Sequence, residues 1–588
     1  MPAVDTPGAH HSETTPEGIF IEWDVPIAMD DGLVLRADVY RPEGDGPHPV
    51  IVSHGPYGKG LSFQEGYPSA WDIMTANHPD VTAGSGNRFQ NWEVADPEKW
   101  VPKGYALVRV DSRGAGRSPG HMDVWSARET RDFAACIEWS GTQAWSNGKV
   151  GLSGISYYAI NQWQVAALQP AHLAAICVWE GASDFYRDMA RHGGIYSSFI
   201  ENWLPKQVKT VQHGLGENGP VDKNSGLLVC GDETLSPEEL AANLTDVGKQ
   251  FLAKPLATAD VYASRTADFS RITTPLLSSA NWGGQGLHLR GNVEGYLRVA
   301  SEQKWLEVHG LEHWSHYYTD YGRELQLQFF DHFLKGTNNG WGARPPVQLN
   351  VRSVDATFKV RAESSWPLER TLWTRYYLHS GSRTLSTGFP SRVNSLTYDT
   401  TGDGVLYELA VEQETEITGP ISAKLFVETT AQDLDLFLVV RVFDPQGEEV
   451  VFHGALDPHT PVAQGWLRAS QRALDPALSE PYRPVHTHDR VETVEPGTVY
   501  ELDVEVWPTC IVVPAGHTIR LSVRGKDYVY PGEPATLSNM PKPMTGVGPF
   551  VHTEPLDRAP TVFEGTVTVH TGGDRASYLL LPMIPSAT

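Results

Sequence analysis

The segment with the clearest chemical pattern is Lys149-Val-Gly-Leu-Ser-Gly-Ile-Ser-Tyr-Tyr158. An apolar run ends in Gly154-Ile155-Ser156, and an amphipathic helical pattern begins at once. A serine in a tight strand-to-helix turn is the setting of a nucleophile elbow, where the residues around the serine must be small. Gly154 satisfies this before the serine. After it, Tyr158 stands where a second glycine is usual, with Ala159 next. Ser156 would present its hydroxyl at a helix N-terminus, where the Tyr157 N–H can hold a developing oxyanion. The chemistry is acyl transfer through a covalent acyl-serine. The plainer alternative is a strand-end serine that only caps a helix. Ser153, inside the strand, competes for the role.

A nucleophilic serine needs a base. Three histidines lie in Val308-His309-Gly-Leu-Glu-His313-Trp-Ser-His316, directly after the apolar run Trp305–Val308. Histidines so spaced also raise a metal site. A strand end followed by a loop aligns no helix face of ligands, however, so neither a metal nor another cofactor is expected.

These groups must be positioned by regular elements. Apolar runs at Val50–Ser53, Tyr105–Asp111, Val150–Ser153, Leu173–Trp179, Pro275–Ala280 and Trp305–Val308 read as strands buried on both faces. Helical patterns at Ala127–Ser140, Tyr157–Leu168 and Arg323–Leu334 separate them. The alternation predicts an α/β sheet over residues 18–184 and 263–340. Residues 185–262 interrupt it with a mostly helical insertion, the natural cap over a pocket. Ser236-Pro237-Glu238-Glu239 marks one helix start there. Leu61–Glu98 reads as an ordered loop. From 345 to 588 short β-rich runs follow one another between turn signals, predicting an all-β sandwich of jelly-roll type. Residues 1–17 read as a flexible leader.

Composition narrows the function classes. The chain has 588 residues, a net charge of −25, 40% hydrophobic residues and 18 tryptophans. That favours packed cores over disorder. No apolar run reaches the length of a membrane span, and the N-terminus lacks a signal-peptide pattern. The acidic balance disfavours nucleic acid. The four cysteines (Cys136, Cys177, Cys230 and Cys510) form no disulfide framework, which suggests a reducing, cytoplasmic setting. A homo-oligomer is left open.

Further segments carry a resemblance. They are Gly55-Pro-Tyr-Gly-Lys59, Asp111-Ser-Arg-Gly-Ala-Gly-Arg-Ser118, Gly154-Ile-Ser-Tyr157, Ala182-Ser-Asp-Phe-Tyr186, Phe329-Phe-Asp-His-Phe-Leu-Lys-Gly336, Gly465-Trp-Leu-Arg-Ala-Ser470 and Pro514-Ala-Gly-His-Thr-Ile-Arg520. With these, the chain resembles the cocaine-esterase-like branch of the X-Pro dipeptidyl-peptidase family. The resemblance implies an α/β-hydrolase domain with a helical cap, a C-terminal jelly roll, and serine hydrolysis of esters or amides of a small molecule. It implies Ser156 as nucleophile, Tyr57 as an oxyanion donor beside the Tyr157 N–H, and His313 as base with His316 as runner-up. Asp111 and Arg113 would be a buried ion pair or turn brace.

The chain departs from the family at the acid. The family places Asp in a Trp-x-Asp context, and here Trp282-Gly-Gly284 has glycine in that position. A triad still needs a carboxylate to orient and charge-balance the imidazole. The strand Leu173–Trp179 runs into Glu180-Gly-Ala-Ser-Asp184, and its C-terminal end faces the same side as that of the nucleophile strand. Glu180 is therefore the expected acid, with Asp184 and Glu312 as alternatives. Trp282, Trp314, Tyr317, Tyr318 and Trp203 suggest an aromatic pocket wall, with Asp184 as a further pocket residue. Competing functions are an X-Pro dipeptidyl-peptidase, an acyltransferase, and a catalytically dead binding protein.

Overall fold

The computed structural model describes residues 11–44 and 46–585. The apolar runs become the strands of one sheet: β1 His11–Thr14, β2 Ile19–Ala28, β3 Val34–Pro42, β4 His48–Gly55, β5 Ala106–Asp111, β6 Ser146–Ile155, β7 Leu173–Trp179, β8 Leu276–Asn281, β9 Lys304–His309 and β10 Val347–Ser353. Their spatial order is β1-β2-β3-β5-β4-β6-β7-β8-β9-β10. The pairings from β5 to β10 are parallel; those among β1, β2, β3 and β5 are antiparallel. The longer helices α1 Ala127–Gly141, α2 Tyr157–Ala166, α3 Leu289–Arg298 and α4 Asp320–Lys335 pack on this sheet. Val50, Val52, Val108, Leu152, Ile176 and Leu276 are almost fully buried between the layers. Crossover connections of this kind bring the C-terminal ends of the parallel strands to one edge, where loops can gather a site.

The leader differs from expectation. Residues 1–10 lie outside the described residues, but His11–Thr14 pairs antiparallel with β2, so the chain is built into the sheet from His11. The Leu61–Glu98 segment is not only loop, since Pro68–Asn77 is helical with Pro68 at its first turn. The 185–262 insertion is a set of short helical turns, among them Phe199–Trp203, Pro237–Ala242 and Val247–Ala253, with a two-strand ladder at Arg191–His192 and Ile195–Tyr196. Ser236 and Glu239 form the expected reciprocal capping box.

From β10 the sheet continues into a β-rich C-terminal domain, because β10 pairs with both Phe358–Glu363 and Tyr500–Val513. Thr415–Thr429 pairs antiparallel with Tyr500–Val513, Thr566–Thr571 and Tyr578–Ile584, and Asp435–Phe443 with Ala463–Arg468 and Thr518–Arg524. Leu425, Leu436, Leu438, Val504, Leu521 and Val567 fill its separate core. No helix among the described residues is long and apolar enough to cross a membrane.

Candidate active site

Ser156 sits between β6 and α2 with φ 55° and ψ −110°. A left-handed φ is costly for a residue with a Cβ, and such strain persists only where the surroundings enforce it. The surroundings here are tight. A Cβ on Gly154 would lie 2.3 Å from the Tyr158 Cβ, and one on Gly181 would lie 2.8 Å from the Ala159 Cβ. The Ser156 N–H donates to the Trp179 carbonyl (3.1 Å), tying the turn to the end of β7. Ser156 is half-buried, and its side chain makes no capping hydrogen bond to α2. The competing Ser153 is buried in the strand and bonded to Tyr317 (2.9 Å) and Gln326 (2.8 Å). It belongs to the core.

Glu180 is the residue after β7, and it too has a left-handed backbone (φ 49°). It is fully buried. Its Oε2 meets His313 Nδ1 at 2.7 Å and its Oε1 meets His309 Nε2 at 2.8 Å, with the Asn281 amide donating to Oε1 at 3.2 Å. Burial alone would raise the Glu180 pKa. The charge of His313, with hydrogen bonds from His309 and His313, overrides it and holds the carboxyl at about 2. Burial likewise works against the imidazolium of His313, yet Glu180 and Glu93 bring its pKa up to about 9. His309 carries a second carboxylate, Glu307 Oε2, on Nδ1 at 2.8 Å. Behind His313 the structure thus stacks carboxylate, imidazole and carboxylate in series.

The other candidates fall away from this centre. Glu312 bonds His78 (3.0 Å) and Asn77 (2.8 Å). The ring nitrogens of His316 are buried with no hydrogen-bond partner among the described residues, and burial drives its pKa far down. Asp184 caps a helical turn through the Tyr186 and Arg187 N–H groups and pairs with Arg187 at 2.6 Å. It lines a cavity of about 450 Å³ with Tyr186, Tyr262 and Arg290, not the surroundings of Ser156. Trp282 is also not a pocket wall, for its indole donates to the Asn350 carbonyl (2.9 Å) and its ring packs on Trp366. Trp314 donates to the Ala70 carbonyl (3.0 Å) and borders a cavity of about 90 Å³.

A side chain at Gly284 would be crowded by backbone. A Cβ there would lie 3.0 Å from the Leu289 nitrogen and 3.1 Å from the Asn281 oxygen, both backbone atoms. The rest of that loop faces the β-rich domain. The Gln285 amide donates to the Pro508 carbonyl (3.1 Å) and accepts from the Gln464 N–H (3.2 Å). A Cβ on Gly283 would lie 2.2 Å from the His453 carbonyl oxygen.

Tyr57 follows β4, and its turn is braced by Asp111. Asp111 Oδ1 accepts from the Lys59 N–H (2.6 Å) and Oδ2 from the Arg117 N–H (2.9 Å). Asp111 is a turn brace, then, while Arg113 pairs instead with Asp132 (2.7 Å) and Asp31 (2.9 Å). The Tyr57 hydroxyl accepts a hydrogen bond from the Trp203 indole at 2.9 Å, which leaves its own proton free to donate. Burial pushes the phenol well above its usual range, so it stays protonated. The Tyr157 ring lies 5.9 Å from that of Tyr57, and its hydroxyl is held by Glu129 (2.6 Å). The Tyr157 N–H, first in α2, belongs to the turn whose amides have no intrahelical acceptor.

Two contacts of these residues escaped sequence reading. Trp203 was legible only as one aromatic among many. Glu93, in the 61–98 segment, carried no signal at all, yet its Oε1 lies 3.1 Å from His313 Nε2. For metals, Glu307, His309 and His316 bring donor atoms within 4.8 Å of one another. Glu307 already accepts from Ser279, Tyr321, Asn350 and His309, and the His309 and His316 rings stack at 4.6 Å, both of which oppose a shared ion.

Residues 31–318 match the model of the X-Pro dipeptidyl-peptidase (S15) family, and residues 339–580 match that of the X-Pro dipeptidyl-peptidase C-terminal non-catalytic domain. A solved CocE/NonD family hydrolase from Staphylococcus aureus is 32% identical with a TM-score of 0.83, over 96% of this chain and 94% of that one. The chain belongs to this hydrolase family. Cocaine esterase from a Rhodococcus species is 25% identical over 95% of this chain and 98% of its own length. A putative serine esterase of Mycobacterium bovis is 22% identical over 85% and 90%. Both the esterase and the peptidase relatives are hydrolases, and the sheet order fits an α/β-hydrolase-like core.

Proposed function

We propose that this protein is a serine hydrolase that cleaves carboxylic esters or amides of a small molecule through an acyl-enzyme on Ser156. His313 is the base, Glu180 the acid, and the Tyr57 hydroxyl with the Tyr157 N–H forms the oxyanion hole. The observation that carries the reading is the 2.7 Å contact between Glu180 and His313 Nδ1. It supplies the carboxylate missing at Gly284, which otherwise favours a dead binding protein. In this reading His313 Nε2 takes the Ser156 proton as Oγ attacks the substrate carbonyl, and Glu180 balances the imidazolium charge. Water then releases the acyl group by the same path in reverse roles. The β-rich domain is read as a jelly roll that closes the pocket, and four free, buried cysteines fit a cytoplasmic setting.

A fluorophosphonate probe followed by peptide mass spectrometry tests this. The expected adduct is on Ser156, abolished by Ser156→Ala. A folded protein that stays unlabelled overturns the reading. Turnover of X-Pro amides over simple esters would move the assignment to the peptidase branch.

A further inference from the structure

The catalytic reading leaves one buried carboxylate without a role. Glu93 is 2% exposed and has a left-handed backbone, φ 63°. The turn that carries it is fixed. Arg109 donates to the Phe89 carbonyl (2.6 Å) and the Ala95 carbonyl (2.7 Å), and the Tyr318 hydroxyl donates to the Asn91 carbonyl (3.0 Å). The Glu93 carbonyl accepts from the Ile155 N–H at 3.0 Å, one residue before Ser156. The side chain turns the other way, and Oε1 meets His313 Nε2 at 3.1 Å. Oε2 is buried with no hydrogen-bond partner among the described residues. Glu93 thus bridges the nucleophile turn and the base.

Nε2 is the atom that must accept the Ser156 proton. An imidazole nitrogen offers one lone pair or one N–H, never both. With Glu180 on Nδ1 and Glu93 on Nε2, both nitrogens face carboxylates, an arrangement that favours the doubly protonated ring. An imidazolium is no base. Resting on the serine-hydrolase reading above, we infer that Glu93 is a positioning residue that holds His313 protonated at Nε2, so that the shared proton must leave before Ser156 can be activated. The step balances simply. The Glu93–imidazolium pair loses one proton to solvent, the Nε2 lone pair is freed, and the Ser156 proton then moves to Nε2 as Oγ attacks.

The groups facing this pair set the terms of its titration. Glu180, with His309 behind it, acts from Nδ1, while the His288 ring stacks on His313 at 4.9 Å. The phenols of Tyr57, Tyr67, Tyr158 and Tyr318 surround Glu93, and all four are pushed to high pKa by burial. Burial likewise lifts the Glu93 carboxyl, to about 7, against the hydrogen bond and charge of His313. Glu93 and His313 therefore titrate as a coupled pair, whose apparent midpoint belongs to both. The active form is the deprotonated one, so the rate rises with pH through that midpoint.

The test is the pH profile of fluorophosphonate inactivation, read as the Ser156 adduct, for wild type and Glu93→Gln. Glutamine keeps the shape but cannot share a proton, so the acid limb should move down by one unit or more. Two units below the wild-type midpoint, the variant would then reach about tenfold more of its own plateau than wild type does. Glu93→Asp, which keeps the charge but shortens the reach to Nε2, should also move the limb below that of wild type, and a limb unmoved from wild type overturns the inference if the glutamine variant does not fold. Superimposed acid limbs, or a lowered plateau with no displacement, would assign Glu93 a merely structural part and overturn the inference. Since the probe carries no amine, a substrate contact at Glu93 cannot produce the shift. No Ser156 adduct in either protein at any pH would instead overturn the hydrolase reading beneath it.

Discussion

Replacing Glu180 by Gln removes one charge and no volume. The amide has one acceptor and one donor face, whereas Glu180 accepts on both oxygens, from His309 (2.8 Å) and Asn281 (3.2 Å) on Oε1 and from His313 (2.7 Å) on Oε2. Two donors already point at Oε1, so the glutamine oxygen belongs there. Its NH₂ then faces His313 Nδ1 and forces the proton onto Nε2. The base would hold the wrong tautomer and lose its counter-charge together. Where this tautomer is imposed in serine proteases, the loss is about 10⁴-fold. We expect about 10³–10⁴-fold here, or ~4–5.5 kcal/mol of transition-state stabilisation. The assay is the second-order rate of fluorophosphonate inactivation and of p-nitrophenyl ester hydrolysis, beside a thermal melt. A rate within about tenfold of wild type, with the melt unchanged, would refute the reasoning.

Two further changes probe the rest of the site. Tyr57→Phe removes one oxyanion donor and should lower kcat by about 10²–10³-fold with little change in KM, checked by steady-state ester kinetics. Gly154→Ala would bring a Cβ within 2.3 Å of the Tyr158 Cβ, so the elbow must open. Adduct formation at Ser156 should fall more than about 100-fold, and the Tm should drop in the same sample.

The core and the strand-to-helix turn at Ser156 were legible because they rest on local rules. Consecutive apolar residues marked the strands from Val50 to Val308, and Gly154 before Ser156 marked the turn. Glu180 could be read from strand order once Gly284 was seen to lack a side chain. Other features depend on what folding brings together. Trp282 and Asp184 carry side chains suited to a pocket, but Trp282 is drawn to the Asn350 carbonyl and Asp184 to two N–H groups of its own turn. Glu93 lies 220 positions from His313, and no periodicity joins them. Trp203 acts only because the insertion folds over Tyr57.

The glycine-rich loop around Gly284 has a mechanical consequence. The Gly283–Gly286 loop is a fastener between the two halves of the chain. Gln285 spans the seam with two hydrogen bonds, and the glycines admit the backbone of His453 and the ring of Phe550 where any side chain would collide. The same loop begins at Asn281, which steadies Glu180. Loosening the β-rich domain would therefore disturb the Asn281 contact to Glu180, so the C-terminal half is mechanically tied to the carboxylate beside His313.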